Sequence, residues 1–187
     1  MTTPSQFIKD RYGSKRGLLN LLQHQLLLLT GRYDHLRCID LKSTRRLVFI
    51  CEGNICRSPL AEVVARGLNI EACSYGLGCT DNHPADPRAT AFASKLGLDL
   101  SSHRTQNIQG YLSKPGDLLI GMEPKHISKL APWVKNGVQC TLLGLFLDTP
   151  ISYIHDPFNT TPTYFCRCEE QVKLATVKLL KRSSLKS

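Results

Sequence analysis

Leucines crowd the stretch from Lys15 to Gly31, and their spacing is helical. Leu18, Leu19, Leu21, Leu22, Leu26, Leu28 and Leu29 fall on one broad face, with Gln25 intruding and Leu27 opposite. Lys15, Arg16 and Arg32 flank the segment, and Gly31 marks its stop. The pattern then changes. Arg46–Ile50 is a short apolar run, which predicts a buried strand. Ser58–Leu68 returns to helical spacing, with Pro59 in the first turn, where a missing N–H costs nothing. Further strands are predicted near Ala72–Leu77, at Asp117–Gly121 and at Val138–Leu142. Helices are predicted over Pro87–Leu96 (stopped by Gly97), over Pro124–Leu130 and over Thr163–Lys181. In the last of these Phe165, Cys168, Val172, Ala175 and Leu179 line one face. Leu143–Pro162 reads mostly as loop.

Strands alternating with helices imply a parallel sheet covered on both faces, an α/β fold. Ligands of such sheets bind at the carboxyl ends of the strands. A length of 187 residues fits one domain with appendages. Residues 1–45 form a leucine-rich, basic helical extension, and residues 46–187 the domain proper with a basic last helix.

Charge sharpens that division. Residues 1–45 hold eight Lys/Arg against three Asp, residues 46–172 eleven against twelve acids, and residues 173–187 five against none. The net +9 therefore sits at the two ends, around a nearly neutral middle. Basic ends without interleaved aromatic residues do not make a nucleic-acid surface. The early apolar stretch is broken by Asn20, Gln23, His24 and Gln25, has no cleavage site after it, and is too short and polar to span a bilayer. The expected location is the cytoplasm, with the eight cysteines mostly reduced. Their spacings do not form the paired C-x2-C sets of a zinc site, so no metal is expected.

The candidate chemistry lies in "LVFICEGNICRSPLAE", which follows the first core strand and leads into a helix. A chain that wraps around an anion between Cys51 and Arg57 can aim its N–H groups inward, and the next helix adds its positive end. Arg57 can offer a planar fork to two phosphate oxygens. Gly53 and Asn54 suit a tight loop, since both tolerate left-handed backbone. The same field suits a thiolate at Cys51, a nucleophile aimed at phosphorus.

This stretch resembles the phosphate-binding loop of the low-molecular-weight protein tyrosine phosphatases. "PADPRATAFASKLGLDLSSHR", "DLLIGMEPKHI" and "DPF" look like later blocks of the same family, so the resemblance covers roughly residues 46–182. It implies a four-stranded parallel sheet with helices on both sides, and hydrolysis of protein phosphotyrosine through a phosphocysteine, without cofactor or metal. Cys51 resembles the nucleophile, Arg57 the arginine that grips phosphate, and Asp156 the general acid. Glu52, Gly53, Asn54, Ile55 and Cys56 complete the loop that receives the phosphate. Ser58 looks like the serine that steadies the thiolate, Asn54, Ser74 and His103 like the network that shapes the loop, and Phe158 like the aromatic that stacks on the phenol. Cys56 resembles the neighbour that can form a reversible disulfide with Cys51.

Departures from the family pattern bear on specificity. Glu52 stands where an apolar residue is usual, and a carboxylate there should weaken a dianionic substrate or select a basic neighbour. Ile55 stands where protein-arginine phosphatases carry Thr, which favours phosphotyrosine over phosphoarginine. The rival from another class is an inactive phosphate-binding adaptor. The extension has no counterpart in the minimal pattern. It could pack on the domain, dimerise, or lie through residues 15–32 on an anionic membrane. The last would suit a phosphatase serving a membrane tyrosine kinase, such as those of bacterial polysaccharide export.

Overall fold

The computed structural model describes residues 3–182. Four strands, β1 (Arg46–Cys51), β2 (Ala72–Gly76), β3 (Asp117–Gly121) and β4 (Gln139–Leu142), form one sheet in the order β2-β1-β3-β4. All pairings are parallel, with Leu47 beside both Ala72 and Leu118. Burial on both faces explains the unbroken apolar runs: Leu47, Val48, Phe49 and Ile50 are all fully inaccessible. The chain leaves β1 toward one edge for β2 and returns across it to reach β3. The carboxyl end of β1 is thus the switch point where such sheets bind ligands.

Helices cover both faces. On one side α3 (Arg57–Arg66), α4 (Pro87–Lys95) and α6 (Pro162–Arg182) bury Leu60, Ala89, Phe165, Val172 and Leu179 against Leu47, Phe49, Leu118 and Ile120. On the other, α5 (Pro124–Leu130) and its neighbours bury Ile108, Leu130 and Val138 against Val48, Ile50 and Leu119. The predicted elements of the domain are all present, with ends shifted by a residue or two. The exception to the predicted loop Leu143–Pro162 is a 3-10 turn at Leu143–Phe146.

The extension differs more. A first helix, α1 (Pro4–Tyr12), was not foreseen; it begins with Thr3 accepting from Gln6 N and ends at Gly13, whose φ is 79°. The leucine-rich helix α2 spans Lys15–Leu29 and is capped by Ser14, whose Oγ accepts from Gly17 N at 2.8 Å. It packs on the domain, and only part of the leucine face, Leu18, Leu21 and Leu28, is covered. Gly17 and Leu28 are buried, with Leu21 and His24 partly covered between them, and Leu27 packs against a small cluster around Leu142 and Leu145. Leu19, Leu22, Leu26 and Leu29 lie on the opposite side and are exposed. The reason is the partner: most of α2 lies on residues 150–155, which present polar atoms, so small and polar residues turn inward there, while Leu27 and Leu28 meet the apolar cluster.

Candidate active site

The loop from Cys51 to Arg57 curls over the positive end of α3. Asn54 is its keystone. It is fully buried at φ 52°, in the left-handed region predicted for it, whereas Gly53 is not left-handed. The Asn54 side chain uses both of its donors and its acceptor oxygen. Nδ2 donates to Ser58 Oγ and Ser74 Oγ, both at 2.9 Å, and Oδ1 accepts from Gln106 N at 2.9 Å. The Asn54 carbonyl accepts from His103 Nε2 at 2.8 Å. Ser74 in turn donates to Glu62 Oε2 at 2.7 Å. Ser58 Oγ, which accepts from Asn54, lies 3.0 Å from Cys51 Sγ, and to a thiolate its hydroxyl is the donor. Asn54 N–H also points at that sulfur, at 3.2 Å. Two donors therefore converge on Cys51, and every predicted loop-supporting residue sits in this one network.

Arg57 is fully buried beneath the loop. Nη1 donates to Glu123 Oε1 at 2.7 Å and to the Ile154 carbonyl at 2.9 Å, and Nη2 meets Asp156 Oδ2 at 2.6 Å. Its Nε is buried with no protein partner. The two carboxylates outweigh the penalty of burying the cation and hold it charged. Glu123 is a residue that the sequence did not single out. It precedes the proline of α5, and only the fold reveals that it is buried against Arg57.

Cys51, Arg57 and Asp156 line one cavity of about 260 Å³, with Ile55 and Phe158 as its apolar walls. Asp156 is partly exposed, and its Oδ1 accepts from Phe158 N at 3.1 Å. Cys56 is buried behind the loop, and burial pushes its thiol far up.

Glu52 does not stand alone at the rim. Lys129 Nζ lies 3.3 Å and Lys125 Nζ 3.5 Å from its carboxylate, and both lysines belong to α5. Burial brings the adjoining His126 down to about 2, so it adds no charge there. The expected repulsion of a dianion is therefore offset in place. Replacing both lysines with alanine should raise KM for an aryl phosphate about three- to tenfold with kcat nearly unchanged, and less so at high salt. Steady-state kinetics at two ionic strengths check this.

A second buried carboxyl, Glu169 of α6, has neither oxygen paired. Burial pushes it up to about 8 from a reference of 4.5. Folding then favours its protonated form, so its contribution is intact below the unfolded value and is lost as pH rises through 4.5 toward about 8. Thermal melts should show stability falling over that window, and Glu169→Gln should flatten the fall. An unchanged slope would place the pH dependence elsewhere.

Comparison with known proteins agrees with this geometry. Residues 46–187 match the family model described as low molecular weight phosphotyrosine protein phosphatase. The chain is 36% identical over 80 residues to a probable low molecular weight protein-tyrosine-phosphatase, EpsP, of Ralstonia solanacearum, covering 42% of this chain and 55% of that protein. It thus spans about half the length of that relative. It is 32% identical over 157 residues to a low molecular weight protein-tyrosine-phosphatase of Streptomyces coelicolor, covering 73% and 92%. Among solved structures, the tyrosine phosphatase Wzb from Escherichia coli K30, in complex with sulphate, superposes with a TM-score of 0.62 at 28% identity, covering 74% of this chain and 98% of that one.

Proposed function

This chain belongs to the low molecular weight phosphotyrosine protein phosphatase family, and from that premise we propose that it hydrolyses protein phosphotyrosine through a phosphocysteine on Cys51. The observation that carries this reading is Arg57, which lines the same cavity as Cys51 and whose buried Nε is a donor without a partner. Buried donors are rarely left so. Its Nε–Nη2 edge suits two oxygens of a phosphate dianion.

In the first step the Cys51 thiolate attacks phosphorus, and the bond from phosphorus to the tyrosine oxygen breaks. The phosphate takes the Nε–Nη2 edge of Arg57, which frees Asp156 from Nη2. Released from that ion pair, Asp156 takes up a proton from solvent and gives it to the departing phenolate oxygen. In the second step Asp156, now a carboxylate, takes a proton from water, and the resulting oxygen attacks phosphorus and releases the thiolate. The Ser58 hydroxyl, already directed at the sulfur, eases that departure. Arg57 and the loop N–H groups neutralise the phosphoryl oxygens throughout. Apolar Ile55 and Phe158 suit a phenol ring, which favours phosphotyrosine over phosphoarginine. Cys56 is the thiol that would condense with an oxidised, sulfenic Cys51, forming a disulfide and water.

A thiolate nucleophile needs a reducing compartment, which supports the cytoplasm. Among the described residues no helix is long and apolar enough to cross a membrane. The exposed stripe Leu19, Leu22, Leu26 and Leu29, with Lys15 on the same face, supports peripheral contact with an anionic bilayer. A membrane tyrosine kinase of polysaccharide export is the phosphoprotein this placement suits. Flotation with phosphatidylglycerol vesicles should carry the full chain upward, and a chain that stays below would remove this contact.

The primary test is turnover of para-nitrophenyl phosphate at mildly acidic pH with EDTA and a reductant, followed by phosphotyrosine and phosphoserine peptides. Metal-independent turnover with preference for phosphotyrosine is expected. A reduced, folded chain that binds phosphate but turns over nothing would favour the adaptor reading instead.

A further inference from the structure

The N-terminal extension touches the domain where the proposed acid is carried. Helix α2 runs along residues 150–155 in an ordered register. Gln25 Nε2 donates to the Pro150 carbonyl at 3.3 Å, Ser152 Oγ to the His24 carbonyl at 2.9 Å, and Asn20 Nδ2 to Tyr153 OH at 3.1 Å. Ser14 Oγ lies 3.2 Å from His155 Nε2. The His24 ring stacks on Tyr153 with centroids 5.4 Å apart. Tyr153 OH closes the chain by meeting His155 Nδ1 at 2.7 Å. In either neutral tautomer one imidazole nitrogen donates and the other accepts, so both His155 bonds can exist together. Burial lowers the affinity of His155 for a second proton, which keeps it in that neutral form.

Two glycines allow the approach. A Cβ on Gly13 or Gly17 would come within 2.6 or 2.7 Å of His155 Cδ2. The result is a ring held on both nitrogens and pressed by backbone, one peptide bond from Asp156. The extension also supplies Arg16, Asn20 and His24 to a cavity of about 270 Å³ whose other wall includes Asp156.

We propose that the extension is a clamp on the acid loop, in which Ser14 and Asn20 are positioning residues that fix His155 and Tyr153, and through them Asp156, for proton transfer to the leaving oxygen. This rests on the phosphatase reading above. The domain holds Asp156 from the other side through Arg57 and through Ile154 N, which donates to the Met122 carbonyl at 2.9 Å. Those bonds set the depth of the loop. The extension sets the orientation of its His155–Asp156 peptide. Proton transfer is sensitive to that orientation, since a misplacement of about 1 Å can cost about a hundredfold in rate.

The test uses the full chain and two esters. Phenyl phosphate releases a basic phenolate and needs the acid. 2,4-Dinitrophenyl phosphate releases a weakly basic one and does not. Asp156→Asn sets the scale, with a large loss of kcat/KM on the first ester and a small one on the second. Asn20→Ala and Ser14→Ala should each lower kcat/KM on phenyl phosphate about tenfold and on the dinitrophenyl ester by less than about twofold. Ser14→Thr should keep wild-type rates. Ser14→Ala also removes the cap of α2, so Tyr153→Phe, which deletes both bonds of that hydroxyl, is the second route to the same selective loss. Equal losses on both esters, or none, would overturn the clamp. Wild-type inactivity on both esters would overturn the phosphatase reading itself, and the clamp with it.

Discussion

Cys51→Ser should lower turnover of para-nitrophenyl phosphate by about 10⁴-fold or more, to the background of the buffer. A serine oxygen carries its proton at neutral pH and is a poor nucleophile without an adjacent base. The described groups hydrogen-bonded to the Cys51 sulfur are not bases: they are Asn54 N and the Ser58 hydroxyl, and Asp156 is held by Arg57. The phosphate cradle, by contrast, does not depend on sulfur. Arg57 keeps its bond to Glu123, and the Asn54 side chain keeps its bonds to Ser74 Oγ and from Gln106 N. Inorganic phosphate should therefore protect the variant against thermal unfolding as well as it protects wild type. Loss of both turnover and phosphate protection would mean that the thiol holds the loop together, and that the change had reported on shape and not on chemistry.

Arg57→Lys should cost both activity and fold. An ammonium has a single centre and cannot serve Glu123, the Ile154 carbonyl and Asp156 at once while presenting a flat edge to phosphate. Glu123, almost fully buried, would be left poorly compensated, and breaking such a pair costs about 3–5 kcal/mol. For a chain of this size that is a fall in melting temperature of about 10 °C. We expect kcat/KM to drop about a thousandfold. The double change Arg57→Lys with Glu123→Gln should recover much of the stability and little of the activity. Melting curves and kinetics on the three proteins separate the two effects. Recovery of activity would assign Arg57 a purely structural role.

Much of this was legible before any coordinates. The central parallel strands announce themselves because burial on both faces favours unbroken apolar runs, such as Leu118–Ile120 within the correctly bounded Asp117–Gly121. The Cys51–Ser58 loop is legible because its chemistry needs several residue types in fixed order. Other features were not. Helix α1 is polar and buries none of its side chains, so it lacks the periodic signal that marks a helix. Leucine spacing does not show which side of α2 turns inward, because much of the surface it meets is made of carbonyls, hydroxyls and a histidine. Glu123 was missed because a carboxylate before a proline looks like a helix start, and its meaning comes only from an arginine sixty-six residues earlier. Glu169 was missed for a related reason: a charged residue in a helix reads as solvated until packing places it inside.

The grip on Arg57 has a consequence for how tightly small anions bind. A free arginine side chain gives up about 2 kcal/mol of rotamer entropy when it is immobilised. Here Glu123 and the Ile154 carbonyl have already fixed the guanidinium through Nη1, and Asp156 holds Nη2 until an anion takes its place. That ordering is completed when the chain folds, so an incoming oxyanion meets a preset receptor and loses less affinity to ordering it. Inorganic phosphate would meet the same receptor as a phosphate ester. Affinity for the phosphoryl head group then contributes little to choosing between substrates, and discrimination falls to the rim, where Glu52 with its two lysines, Ile55 and Phe158 meet whatever surrounds the phosphorylated side chain.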